Sequence, residues 1–168
     1  MPPQKNLLID GYNVINRVPE LRLSLDGGLE NARLKLALRV SAWSRDHPAT
    51  ECIIIFDGDY QYAGGRDQRI AGIRCIFSKT SHGGDDEIIR LVRELRAKNS
   101  EVAVVSDDNK VCNNCHAHSA SVQPSKYIMA EKKPHSGALA RNPKDGKGID
   151  RKARTEIDNE LRKKFGLE

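Results

Sequence analysis

Four aspartates stand where apolar runs stop or a helix begins. "LLIDGYN" ends its aliphatic run on Asp10, "IIIFDG" on Asp57 and "AVVSDD" on Asp107. "GGDDEIIRLV" opens with Asp85 behind Gly83 and Gly84. One aspartate in such a place is what a turn or a helix N-cap ordinarily uses. Several on one edge are another matter, because crowded carboxylates repel and raise each other's pKa unless a cation neutralises them. An all-oxygen donor set suits Mg2+ or Mn2+, and no His or Cys occupies these four positions to favour zinc. Asn13 is placed to orient Asp10 or to bind a water, and Ser106 to do the same for Asp107. Asp59, Asp86 and Asp108 are neighbouring acids, read as supporting or surface groups.

What would bring these residues together is an alternation of strands and helices. Residues 6–10, "ECIIIFDG", "IRCIFS" and "EVAVVSDD" read as strands, and "SVQPSKYIM" leads into a fifth near its end. Between them, Leu29, Ala32, Leu36, Val40 and Trp43 recur at helical spacing, with Asp26 as the expected N-cap and an end near Asp46-His47-Pro48. Ile88, Leu91, Val92 and Leu95 line one side of a second helix, and "NKVCNNCHAHSA" reads as a short third. Such alternation predicts an α/β fold: a mainly parallel sheet covered by helices on both faces, with its ligands at the carboxyl ends of the strands. On that edge Asp10, Asp57, Asp85 and Asp107 converge.

Charge divides the chain. Residues 1–131 hold 17 Lys+Arg and 17 Asp+Glu, whereas residues 132–168 hold 11 and 6, so the tail carries the whole net charge of +5. Two segments are expected: a domain over 1–131, then a basic linker and C-terminal helix over 132–168. In the latter, Ile149, Ala153, Ile157, Leu161 and Phe165 form a stripe. A basic tail on a neutral body suits a polyanionic partner, and equally a solvated, solubilising tail. No run approaches a membrane span and the N-terminus lacks an apolar signal region, so a cytoplasmic protein is expected. Cys52 and Cys75 lie in apolar runs and read as small hydrophobes.

"LLIDGYNVI", "IIIFDG", "GGDDEIIRLV" and "VVSDDNKV", in this order and spacing, resemble the motifs of the YacP-like branch of the NYN domain family, whose members have PIN-like ribonuclease folds. The resemblance covers about residues 5 to 130. It implies a PIN-like three-layer α/β/α domain and a metal-dependent endoribonuclease, a hydrolase of RNA phosphodiester bonds. The motif acids fall on Asp10, Asp85 and Asp107, with Asp57 as a further metal ligand and Asn13 beside them. It also implies messenger RNA at the ribosome as a candidate substrate and partner. One departure is Gly84, where the family's helix-start motif usually has alanine; a glycine there is expected to loosen the backbone. The alternative class is a non-catalytic RNA- or ribosome-binding module of the same fold, which gains nothing from clustered negative charge. A phosphatase using Asp57 or Asp10 as nucleophile ranks below both.

Two further stretches bear on binding. "GDYQYAGGRDQR" offers Tyr60 and Tyr62 to stack on bases and Arg66 and Arg69 to meet phosphate, or is an ordinary loop; Lys132 and Lys133 open the basic tail. "CNNCHAH" holds Cys112, Cys115, His116 and His118 within seven residues. A structural zinc site joins two separated pairs, so a helix with buried cysteines is the better reading.

Overall fold

The computed structural model describes residues 2–58, 66–79 and 83–130. All lie in the first of the two units into which the chain divides, Met1–Lys132 and Lys133–Glu168. In chain order the elements are β1 (Lys5–Asp10), α1 (Gly11–Arg17), α2 (Pro19–Leu23), a 3-10 turn (Ser24–Gly27) and α3 (Leu29–Asp46). There follow β2 (Thr50–Phe56), β3 (Asp67–Ile70), β4 (Ile73–Phe77), α4 (Gly83–Ala97), β5 (Glu101–Val105), α5 (Asn109–Ala117), β6 (Ser121–Gln123) and a second 3-10 turn (Ser125–Met129).

The strands form one six-stranded sheet in the order β3-β4-β2-β1-β5-β6. Every neighbouring pair is parallel except β3–β4. The pleat sends alternate residues to opposite faces. Leu7, Ile9, Ile54, Phe56, Phe77 and Val105 pack against the apolar sides of α1 and α3. Leu8, Ile53, Ile55, Ile76, Val102 and Val104 pack against α4 and α5. Both faces are covered, which is why the strands read as unbroken aliphatic runs. The result is the expected three-layer α/β/α domain. Cys52 and Cys75 are buried in it, and burial pushes their thiols up to about 11 and about 12.

Strand β2 lies on one side of β1 and β5 on the other. The chain therefore switches direction across the sheet between β1 and β5, and a crevice opens where two parallel strands diverge to loops on opposite sides. Asp10 ends β1 at that place.

Several expectations are corrected. Asp26 does not cap α3; it lies in the first 3-10 turn, and Gly28, at φ 94°, takes the capping position with no side-chain bond. The stretch "SVQPSKYIM" is a strand at its beginning, not its end. Pro124 has no N–H to extend the ladder, and Ser125–Met129 turns back as a 3-10 helix. The edge strand β3 and the helices α1 and α2 were not anticipated. Strand β3 is four residues, two of them exposed, and has no apolar alternation to announce it.

Candidate active site

Helix α1 begins directly after Asp10, without an intervening loop, and this depends on Gly11. A Cβ at Gly11 would stand 2.5 Å from the Phe56 ring and 2.9 Å from the Ile55 carbonyl. The missing side chain lets the chain turn against β2 and leaves Asp10 at the strand mouth.

The pleat decides which strand-end groups meet. Asp10 is in phase with Leu8, Asp57 with Ile55, Ser78 with Ile76 and Ser106 with Val104, so all four fall on the face covered by α4 and α5. Two serines then do the same job at two strand ends. The Ser106 hydroxyl, 2 % exposed, donates to Asp10 Oδ2 at 2.9 Å and accepts from the Asp108 N–H at 3.1 Å. The Ser78 hydroxyl, 1 % exposed, donates to Asp57 Oδ1 at 3.1 Å and accepts from the Gly58 N–H at 3.2 Å. In each case a backbone N–H fixes the hydroxyl's orientation so that its proton points at a carboxylate. Ser106 therefore serves Asp10 rather than Asp107. Ser78 was missed from sequence; its signal is that "CIFS" ends as "AVVS" does.

Asp10 is half-buried, and burial pushes its carboxyl up to about 6. The Ser106 hydrogen bond opposes this, while the charges of Asp85 and Asp108 add to it. Asp85, in the first turn of α4, is also raised, first by burial and then by Asp108, with smaller contributions from Asp57 and Asp86 and opposition from Lys110. Asp10 thus lies in the fields of Asp85 and Asp108, and Asp85 in those of Asp108, Asp57 and Asp86. Helix α4 comes close because residue 84 is glycine: a Cβ there would be 3.0 Å from the Asp57 Cβ. Gly84 is buried, and its missing Cβ permits this close approach.

Asp107 is placed differently. It is out of phase with Ser106, and its Oδ2 accepts from the Ser125 N–H at 3.3 Å, on the side of the second 3-10 turn. Its own N–H donates to Asn13 Oδ1 at 2.9 Å. Asn13 therefore ties α1 to the β5–α5 turn instead of orienting Asp10 through its side chain. The acid that acts on both Asp10 and Asp85 is Asp108, whose Oδ1 also caps α5 by accepting from the Lys110 and Val111 N–H groups at 2.8 and 3.2 Å. Among the described residues, no three His, Cys, Asp or Glu side chains are gathered closely enough to hold one ion as they stand.

The binding candidates separate as well. The Arg66 guanidinium is committed to the protein: Nη2 lies 3.0 Å from Oε2 of the buried Glu87, and Nε donates to the Phe77 carbonyl at 3.1 Å. Arg69 Nη1 donates to the Gly72 carbonyl at 2.9 Å. Asp86 is exposed on α4. Tyr60, Tyr62, Asp59, Lys132, Lys133 and the C-terminal stripe lie outside the described residues. Cys115 is buried against α4, while His116 and His118 are exposed, so these groups of the "CNNCHAH" stretch do not face one point.

This geometry can be set beside known proteins. The family model described as the YacP-like NYN domain matches residues 7–166. The chain belongs to the YacP-like NYN domain family. The match reaches well beyond residue 130, through the basic segment that follows the motifs. A curated relative, the uncharacterized protein YacP of Bacillus subtilis (strain 168), is 26 % identical over 102 residues, which is 61 % of this chain and 59 % of that protein. The chain thus aligns with about three-fifths of that relative. The crystal structure of Rae1 (YacP) from Bacillus subtilis superposes with a TM-score of 0.59 at 19 % identity, covering 95 % of this chain and 80 % of that one. A mutant of the same protein gives 0.60 at 21 %, over 74 % and 72 %. At such identities the likeness establishes the fold, a PIN-like one, and it is the family match that makes this YacP-like chain a nuclease-type domain. Among its described residues no helix is long and apolar enough to cross a membrane.

Proposed function

We propose that this chain is a metal-dependent endoribonuclease that hydrolyses RNA phosphodiester bonds, with messenger RNA at the ribosome as its substrate. The observation that carries the reading is the half-buried Asp10, whose carboxyl is pushed up to about 6 at the sheet's switch point with the charges of Asp85 and Asp108 upon it. A fold that stores such repulsion gains from a divalent cation. The donors fit Mg2+ or Mn2+: they are carboxylate oxygens, and Mg2+ is ordinarily held by one or two protein carboxylates with waters and substrate phosphate rather than by a complete cage. Asp10, Asp85 and Asp108 are the residues that would hold it, one or two of them directly and the others through its waters, with Asp57 beside them. When bound, such an ion supplies a water of lowered pKa and positive charge against the phosphate.

The chain's own groups do the rest. The Ser106 hydroxyl holds one oxygen of Asp10 and favours its charged form. Asn13 fixes the turn from which Ser106 and Asp108 project. Gly84 lets α4 bring Asp85 over the strand ends. The family membership and the basic 132–168 segment support RNA as the substrate.

The test is cleavage of labelled RNA by the full chain with and without Mn2+, beside the Asp10→Asn variant. Metal-dependent products from the parent protein and none from the variant are expected. A parent protein that binds RNA but never cuts it points instead to a non-catalytic RNA-binding module.

A further inference from the structure

A polyanion that approaches carboxylates needs positive charge at the rim of the site as well as at its centre, because each phosphate it brings is repelled by the acids. The described structure puts a cation there. Lys110 is the second residue of α5, and its N–H is fixed on Asp108 Oδ1 at 2.8 Å, which plants its stem at the mouth of the crevice. Its ammonium reaches across to α4 and lies 3.8 Å from Asp85 Oδ2. It is also the cation whose charge acts on Asp85 against those of Asp108, Asp57 and Asp86.

This pair is a poor fastening. Its separation is at the long end for an ion pair, and the Lys110 side chain is 73 % exposed and that of Asp85 39 %. Exposed pairs of this kind contribute little to stability. Compare Glu87 on the same helix, which is 6 % exposed and clasped by Arg66 at 3.0 Å and Arg90 at 2.9 Å. Glu87 fastens structure; Lys110 holds a hydrated ammonium on a flexible stem beside the acids, free to exchange one oxygen for another.

We infer that Lys110 contacts the phosphate of RNA bound at the acid cluster, its ammonium leaving Asp85 to donate to a non-bridging phosphate oxygen. The inference rests on the nuclease reading. It gives the start of α5 two roles, since its N-cap Asp108 acts on Asp10 and Asp85 while Lys110, two residues on, meets the substrate. No covalent step is required of Lys110.

The experiment has two arms. In the first, the full chain and its Lys110→Ala, Lys110→Gln and Lys110→Arg variants are assayed on labelled single-stranded RNA across a Mn2+ titration. The expected result is a fall of about tenfold or more in kcat/KM for the Ala and Gln variants, partial recovery with Arg, and an Mn2+ requirement that does not rise. In the second arm, RNA affinity is measured against salt in the Asp10→Asn background, where no cleavage is expected. Adding Lys110→Ala should reduce the slope of log K against log salt by roughly 0.7, the share of one phosphate contact on a single strand. An unchanged kcat/KM in a chain that cleaves overturns the inference. So does an unchanged salt slope with an altered Mn2+ requirement, which makes Lys110 a counter-ion of Asp85 and nothing more. A parent chain without cleavage defeats the nuclease reading, while the salt slope still decides whether Lys110 meets phosphate. No RNA binding at all defeats both.

Discussion

At Asp10 a single side chain links stability to chemistry, and the link has a sign. Its carboxyl sits at about 6 in the folded protein against 3.8 for the free group. A raised carboxyl pKa means that folding favours the protonated form. The stabilisation is complete below 3.8 and is lost as pH rises through about 6. At pH 7 the charged form therefore costs the metal-free fold roughly 3 kcal/mol, since each tenfold change in proton affinity is worth about 1.4 kcal/mol. Asp10→Asn removes the charge and keeps an oxygen to accept the Ser106 proton. The metal-free variant should melt a few degrees above the parent at pH 7 and lose part of the parent's decline between pH 4 and 7. Mn2+ should then stabilise the parent and not the variant. Thermal melts in chelator and in Mn2+, across pH, measure this. A variant that melts well below the parent at pH 7 would make Asp10 a structural group and remove the main support for a metal there.

At the scale of elements, the turn between β5 and α5 holds the sharpest difference between sequence and structure. Asp107 was the natural choice from sequence because it is the first acid after the apolar run. The pleat turns neighbouring side chains apart: Ser106 continues the phase of Val102 and Val104 toward α4 and α5, whereas Asp107 Oδ2 accepts from the Ser125 N–H. Asp108, read as a supporting acid, is the one whose charge reaches Asp10 and Asp85. Counting by twos from Val104 would have assigned Ser106 to Asp10 instead of Asp107, but beyond the strand end the position of Asp108 depends on its capping bonds to the Lys110 and Val111 N–H groups rather than on the pleat. The long apolar strands, α4 and the three-layer arrangement were legible because their patterns run over many residues. Helix α1 was not, since its seven residues bury only Gly11, Val14 and Ile15. The two acids can be compared with matched substitutions. Asparagine caps a helix as well as aspartate does, so Asp108→Asn keeps α5 while removing charge, and Asp107→Asn keeps an acceptor for the Ser125 N–H. Cleavage should fall at least tenfold for Asp108→Asn and less for Asp107→Asn, with little change in melting temperature for either. The reverse order in a labelled-RNA assay would return Asp107 to the centre of the site.

Taken whole, the molecule separates its chemistry from its charge. Residues 1–131 are balanced at 17 cations and 17 anions, and the carboxylates of Asp10, Asp57, Asp85 and Asp108 lie at one sheet edge, where they repel a phosphate chain unless, as proposed, a metal neutralises them. The net +5 lies in residues 132–168, and the family match continues into them as far as residue 166. Attraction between exposed charges is screened within about 8 Å at physiological ionic strength, so the tail can help only by meeting phosphate directly or nearly so. The salt dependence of binding measures such meetings: each phosphate contact on a single strand contributes roughly 0.7 to the slope of log K against log salt. Removing 132–168 would test this but risks disturbing the fold. Neutralising Lys132, Lys133, Arg141, Lys144 and Lys147 to glutamine leaves the chain its full length and the acid cluster untouched. The slope for labelled RNA should fall by up to about 0.7 for each of these cations that touches phosphate, with the melting temperature and the Mn2+ requirement unchanged. If the slope does not move, the tail's positive charge never meets RNA. On the proposed reading, recruitment of the substrate would then rest on the body alone, on Lys110 at the rim and on an ion at the carboxylates.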